Sequence, residues 1–320
     1  MLKEAVGISE PQKVLDNANS TSVDVLSAEI AHALTVAAKN RYISFKDLPD
    51  PWRINPYILG GYHFTSSIVH SLALNLRTSN ETINVWTHAF GLLFYLYHIL
   101  IVFPTMDAYL YISTNFLART LLYSFFASVC LTLFASAIFH TFKSVASLKV
   151  FVHCAICDLS AVTFMMATSQ ASIAYPALAC YPHLQRLYIS ISFLAGGAAI
   201  MLPWFHFFRG SPYAWRRAIF YFCLGCLVWI PLVHLIVLEG PTEPMAFYAR
   251  LKWPAWAYSI GAVIYGAKLP ERWRPGRFDF VGASHQIWHV IILIGAFWHT
   301  DIVAGMYADM NRRMAACVTY

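Results

Sequence analysis

The sequence predicts an all-α, polytopic membrane protein with seven transmembrane helices, and three observations carry that prediction. Of 320 residues, 58% are hydrophobic and 12% are charged, whereas a soluble domain carries about 25% charged residues to cover its water-facing surface. The mean hydropathy is +0.54. Seven apolar stretches follow one another, each near the roughly 20 residues a bilayer-crossing helix requires. Soluble enzymes, nucleic-acid binders and secreted disulfide scaffolds are thereby excluded. The seven cysteines lie mostly inside apolar runs and show no secreted framework. The net charge of +6 therefore reports orientation rather than binding to a polyanion.

Residues 1–56 read as a cytosolic N-terminal tail, polar and mixed in sign, without a signal-peptide pattern and mobile up to about residue 40. Within it, Leu48-Pro49-Asp50-Pro51-Trp52-Arg53 predicts a fixed, extended segment, because proline biases itself and its predecessor away from helix. Residues 57–80 form a juxtamembrane segment. There Phe64, Ile68, Leu72 and Leu76, spaced four apart among polar residues, predict a short amphipathic helix on the membrane surface.

The seven-helix domain covers residues 81–306, with spans at about Val85–Phe103, Phe116–Phe139, Val150–Ser172, Leu184–Phe207, Ala218–Leu238, Ala246–Tyr265 and Val281–Val303. The sixth carries Lys252 and Pro254 near its start, where snorkelling and a first-turn proline are tolerated. Residues 307–320 read as a C-terminal tail. Orientation follows from the basic residues. Lys143, Lys149, Arg209, Arg216, Arg217, Lys268, Arg272, Arg274 and Arg277 fall on one side, against Arg119, Arg186, Arg250, Lys252, Arg312 and Arg313 on the other. The richer side should be cytosolic, with the N-terminus inside, the C-terminus outside and no glycan on the sequons at Asn19 and Asn80.

Ionisable groups inside spans are expensive and so are functional candidates. His285 and His289 are four residues apart, hence on one helix face about 6 Å apart along the axis, a spacing that suits two ligands of one zinc ion. Gln286 occupies the position where the soluble protease motif has its glutamate, so any base must come from another helix. The same histidine pair in a helix also serves ordinary packing. With the N-terminus inside, His285, His289, His140, Ser136 and Asp158 all fall in the cytosolic leaflet, from the second, third and seventh spans. Asp158 reads either as a structural hydrogen-bonding residue or as a partner of zinc or its water. His88, His98, His153 and His234 compete for the third ligand position, and periodicity does not choose among them. His98 and His299 belong towards the outer leaflet. A bis-histidine haem needs axial ligands on facing helices, which His285 and His289 cannot supply. Cys154-x-x-Cys157 and Cys223-x-x-Cys226 resemble two halves of a zinc site, although small apolar filling between helices explains them better.

Five elements together resemble the progestin and adiponectin receptor (PAQR) and haemolysin III-related family, in particular its fungal-type adiponectin receptor-like members. They are Glu81-Thr82-Ile83-Asn84-Val85-Trp86-Thr87-His88; Ser136-Ala137-Ile138-Phe139-His140; Asp158; Pro231-Leu232-Val233-His234; and Ile264 to Arg272, through Pro275-Gly276-Arg277-Phe278-Asp279, to Ser284-His285-Gln286-Ile287-Trp288-His289. The resemblance covers roughly Tyr57 to Val303. It implies a receptor-like fold with a cytosolic N-terminus and zinc held by His140, His285 and His289. Asp158 would hold or activate water, with Ser136 beside it. The resemblance also implies amide hydrolysis of ceramide-like lipids, or sensing of a sterol or protein ligand with structural zinc, or a role in zinc and lipid homeostasis. The expected partners are membrane lipids and an amide-linked lipid or sterol, without nucleic acid; a homo-oligomer is compatible with the sequence. The home membrane would be endoplasmic reticulum or plasma membrane.

Overall fold

The computed structural model describes residues 10–209 and 214–317. Its elements are α1 (Glu10–Lys39), α2 (Ile68–Leu74), α3 (Thr82–Tyr97), α4 (Asp107–Thr114), α5 (Phe116–Phe142), α6 (Leu148–Ala177), α7 (Pro182–Ile200), α8 (His206–Arg209), α9 (Ala214–Cys226), α10 (Ile230–Glu239), α11 (Thr242–Tyr248), α12 (Lys252–Ala267), α13 (Ser284–Ala308) and α14 (Met310–Ala316). Among the described residues there is no β-strand beyond two isolated bridges. Six helical stretches are long and apolar enough to cross a membrane: Thr82–Thr105, Phe116–Phe142, Leu148–Ala177, Pro182–Trp204, Arg216–Glu239 and Ser284–Ala308. Each overlaps an expected span, and the chain is an integral multi-pass membrane protein. The sixth expected stretch corresponds to α12, 16 residues long, which continues from α11 through a short 3-10 turn at Ala249–Leu251.

Membrane helices gain little from the hydrophobic effect against one another, so close approach depends on small residues. Gly196 on α7 meets Ala167 on α6, where an added methyl group would lie 2.3 Å from the alanine Cβ. Gly91 on α3 admits Leu293 of α13, which a methyl group would meet at 2.6 Å. Helix starts are capped by side chains: Asn115 Oδ1 accepts from the Ala118 amide at 2.9 Å ahead of α5, and Ser67 caps α2. Such caps satisfy amides that have no partner within the helix.

The packing divides into two cores. The larger joins Tyr95, Phe103, Phe125, Phe126, Ala174, Val303 and Tyr307, from the end of α3, the start of α5 and the ends of α6 and α13. The smaller lies at the opposite end, where Ala33, Ile43, Leu48, Trp52, Ile58, Tyr62, Phe64 and Ala283 pack together. Trp52 is buried and donates its Nε1 hydrogen to the Lys143 carbonyl at 2.9 Å, tying this proline-rich segment to the end of α5. The segment is fixed as expected, but Asp50–Trp52 coil into a 3-10 turn where extended backbone was expected, because a proline in the first turn is compatible with a helical start.

Three further expectations change. The N-terminal segment is not a mobile tail from residue 10 onward, since α1 runs to Lys39 and packs Leu26, Ile30 and Ala33 against the smaller core. The four- and three-residue spacing of these apolar groups supplies the contact face. The amphipathic helix is confined to α2 and turns Ile68, Val69 and Leu72 outwards, while Ser71 and Leu74 pack inwards. Two of the seven cysteines are bridged: Cys180, after α6, pairs with Cys317, after α14, across 137 residues. The C-terminal segment is accordingly helical and pinned. Arg313 donates to the Ala177 carbonyl at 3.0 Å and pairs with the buried Glu239 at 3.3 Å.

Candidate metal centre

At the end sealed by the smaller core, α5 and α13 bring three imidazoles together. His140 Nε2 lies 3.1 Å from His285 Nε2, and His289 Nε2 lies 3.3 Å from His285 Nε2. One nitrogen from each ring falls within 4.8 Å of the others, and these three residues form the metal-competent cluster found among the described residues. His140 and His289 are each 2% exposed, so these rings are closed off from bulk water. Zinc–nitrogen bonds of about 2.0–2.1 Å at tetrahedral angles put ligand atoms about 3.3 Å apart, and the observed spacing fits.

The flanking groups set which nitrogen faces the centre. His140 donates Nδ1–H to Glu81 Oε2 at 2.7 Å, which leaves the Nε2 lone pair directed inwards. Glu81, at the head of α3, also carries the ammonium of Lys143 on its other oxygen. The Thr87 hydroxyl donates to the Ile83 carbonyl at 2.6 Å and so offers its lone pair to His289 Nδ1–H at 3.5 Å. A carboxylate behind the imidazole is a usual partner of a metal-ligating histidine, whereas His285 Nδ1 is buried without a hydrogen-bond partner among the described residues. Buried lone pairs that converge need a partner, and a metal cation supplies one. A cavity of about 30 Å³, room for about one water molecule, reaches this outer layer between Glu81, His140, Lys143, His63 and Asn80.

The helix carrying two of the histidines is held by its own start. Glu271, wholly buried, accepts from the Ser284 amide at 2.7 Å and from its hydroxyl, and from Asn55 Nδ2 at 3.0 Å. Gln286 Oε1 accepts from the Gly282 amide at 2.7 Å, while its Nε2 donates to the Phe280 and Asn80 carbonyls. The residue in the protease-like position thus fastens the helix start and takes no part in proton transfer.

Other candidates lie outside the triad. Ser136 is buried one turn before His140 on α5. Asp158 is half-buried on α6, within electrostatic reach of Tyr265, whose ring lies 5.0 Å from that of His285. The His88 ring stacks on His289 with centroids 3.8 Å apart, presenting its face rather than a nitrogen. His98 approaches Asp301 at 3.0 Å, His153 meets the Lys149 carbonyl, His234 meets the Tyr188 hydroxyl and His299 meets Ser169. Cys154, Cys157, Cys223 and Cys226 carry free thiols and form no metal cluster among the described residues. Glu81 had been legible only as part of a motif. Its place one residue before an intramembrane helix, among basic and imidazole groups, was the available signal.

A helical membrane bundle with a buried, oriented histidine triad at one end defines a membrane protein built around a candidate metal site. The haemolysin-III related profile matches residues 76–300, and the chain belongs to that family, the progestin and adiponectin receptor group. An uncharacterised protein of Schizosaccharomyces pombe is 30% identical over 285 residues, covering 88% of this chain and 64% of that one. Heptahelical transmembrane protein ADIPOR3 of Oryza sativa subsp. japonica is 32% identical over 157 residues, covering 48% of this chain and 39% of its own. The ADIPOR-like receptor IZH2 of Saccharomyces cerevisiae is 28% identical over 297 residues, covering 90% of both chains. The chain thus spans less than two thirds of the first two relatives and most of the third.

Proposed function

We propose that His140, His285 and His289 hold a zinc ion and that the protein hydrolyses an amide-linked membrane lipid of the ceramide type. The carrying observation is the inward convergence of three imidazole nitrogens, two of the rings almost wholly buried. When bound, zinc on three neutral imidazoles supplies Lewis-acid polarisation and water activation, with a coordination position left for a reacting group.

The chain's own groups divide the remaining work. Glu81 holds the His140 tautomer, and Lys143 holds Glu81. Asp158, which makes no hydrogen bond to a described residue, is the proton acceptor in this reading, and Ser136 supplies a hydroxyl on the triad's side of α5. An apolar groove of about 430 Å³ runs along α3 and α13 past Trp86, Phe90, Phe94 and Leu293, and includes Thr87, which meets His289. It supports the reading that a lipid acyl chain lies beside the metal centre, in low dielectric and apart from bulk water.

The yeast relative is named a receptor, which supports a second reading as a receptor; in that reading the metal only joins helices, and a lipid or sterol shifts their packing. The triad links α5 to α13, and Glu81 adds α3. Incubation of the purified protein with a ceramide, with and without a zinc chelator, separates the two. Fatty-acid release that the chelator abolishes while helicity persists supports the enzyme. Absent release, with unfolding on chelation, supports the structural metal.

A further inference from the structure

The segment between α12 and α13 carries Lys268, Arg272, Arg274 and Arg277 around Trp273. Lys268 is engaged, its amine directed to the Ile54 carbonyl at 3.5 Å. The three arginines are exposed and form no ion pair with a described residue. Trp273 is 73% exposed, and Val281, 68% exposed, follows along the same segment. Such a cluster would ordinarily be a loose solvated loop.

This one is fixed from several directions. Backbone bonds run from the Arg272 amide to the Lys268 carbonyl, from Trp273 to Pro270, from Arg277 to Arg274 and from Gly276 to Tyr57. Asp279 accepts from the Leu59 amide at 2.9 Å, and Glu271 anchors the segment on Ser284 and Asn55. The ordering cost of presenting these side chains is therefore largely met before any partner arrives. The segment also stands at a defined depth: Val281 is three residues ahead of Ser284, where a membrane-crossing helix begins.

We infer that residues 272–281 form a docking surface for anionic phospholipid headgroups of the protein's own leaflet. Arginine forks suit phosphate oxygens. An exposed indole suits the headgroup level, where one edge is apolar and the other wet. Charges that merely orient the chain need neither fixed geometry nor an aromatic partner, and this surface has both. The inference rests on the fold and is independent of the metal reading.

Native mass spectrometry tests it on the full chain in neutral detergent, with equimolar phosphatidylserine and phosphatidylcholine. The wild type should retain phosphatidylserine preferentially, and less so at high salt. The combined Arg272→Gln, Arg274→Gln and Arg277→Gln variant should lose about fivefold in that preference per arginine removed. Trp273→Ala should reduce retention of both lipids. Unchanged thermal unfolding of the variants shows that the fold is intact, and Arg274→Gln alone serves if the combined variant does not fold. An unchanged preference in the arginine variants, no preference in the wild type, or equal competition by soluble glycerophosphate would each overturn the docking surface.

Discussion

Glu81 and His140 form the pair on which the candidate metal centre turns: the carboxylate takes the Nδ1 proton at 2.7 Å and thereby aims Nε2 at the other two imidazoles. Removing such a partner costs metal affinity without removing a ligand. Glu81→Ala should weaken zinc binding by about 10- to 100-fold, measured by chelator competition. Glu81→Gln, which keeps an acceptor oxygen but loses the charge, should fall between the two. An unaltered affinity in both variants would separate Glu81 from the metal.

Asp158 has a different expected signature, because it lies apart from the converging nitrogens. In the proposed reaction, Asp158→Ala retains zinc and loses lipid hydrolysis by about 100-fold or more, the usual scale for a positioned proton acceptor. Full turnover in this variant excludes the role. Loss of zinc would instead make the carboxylate a supporting group of the site.

His63 gives a pH prediction outside the membrane spans. Burial lowers its pKa from 6.5 to about 4, and its ring stacks on Tyr42 at 5.4 Å. Between these two values the unfolded chain binds a proton at this position that the folded chain does not, so stability falls as pH drops from about 6.5 to about 4. The contribution is fully present above the upper value. Thermal unfolding at pH 7 and pH 5 should therefore show a smaller difference in His63→Asn than in the wild type. Equal differences would contradict the assignment.

Cys180–Cys317 lies at the end of the bundle away from the triad, where α6 and α13 finish. Disulfides persist in oxidising compartments, which supports placing this end outside and the triad towards the cytosol. Replacing both cysteines by serine should lower stability by about 2–4 kcal/mol, read from denaturation of the purified protein. In Cys317→Ser, the freed Cys180 should react with an impermeant maleimide from the outer side of the membrane alone. Labelling of Cys180 itself from the cytosolic side would reverse the orientation. The sequon at Asn80 is a poorer probe than the sequence suggested. Its side chain is 8% exposed, so lack of a glycan there reports burial whichever side it faces.

The membrane helices were legible because length and apolar content alone identify a span. The pairing of His285 with His289 follows from helical periodicity. The meeting with His140 depends on how α5 and α13 pack, which periodicity does not encode; the family resemblance pointed to His140, and its Nε2 lies 3.1 Å from that of His285. Glu81, the stacking of His88 and the disulfide were harder, since each joins residues far apart in the chain. The docking of α1 left a trace in the sequence, the four-residue spacing of Leu26 and Ile30, but surrounding polar residues masked it.

Metal content of the purified protein, measured by mass spectrometry for the wild type and for His285→Ala, tests the central claim most directly. The account predicts one zinc per wild-type chain and none in the variant, with helicity and thermal unfolding showing that the variant is folded. Equal zinc in both proteins, or a folded wild type that takes up no zinc when it is supplied, would contradict a metal centre built on His140, His285 and His289.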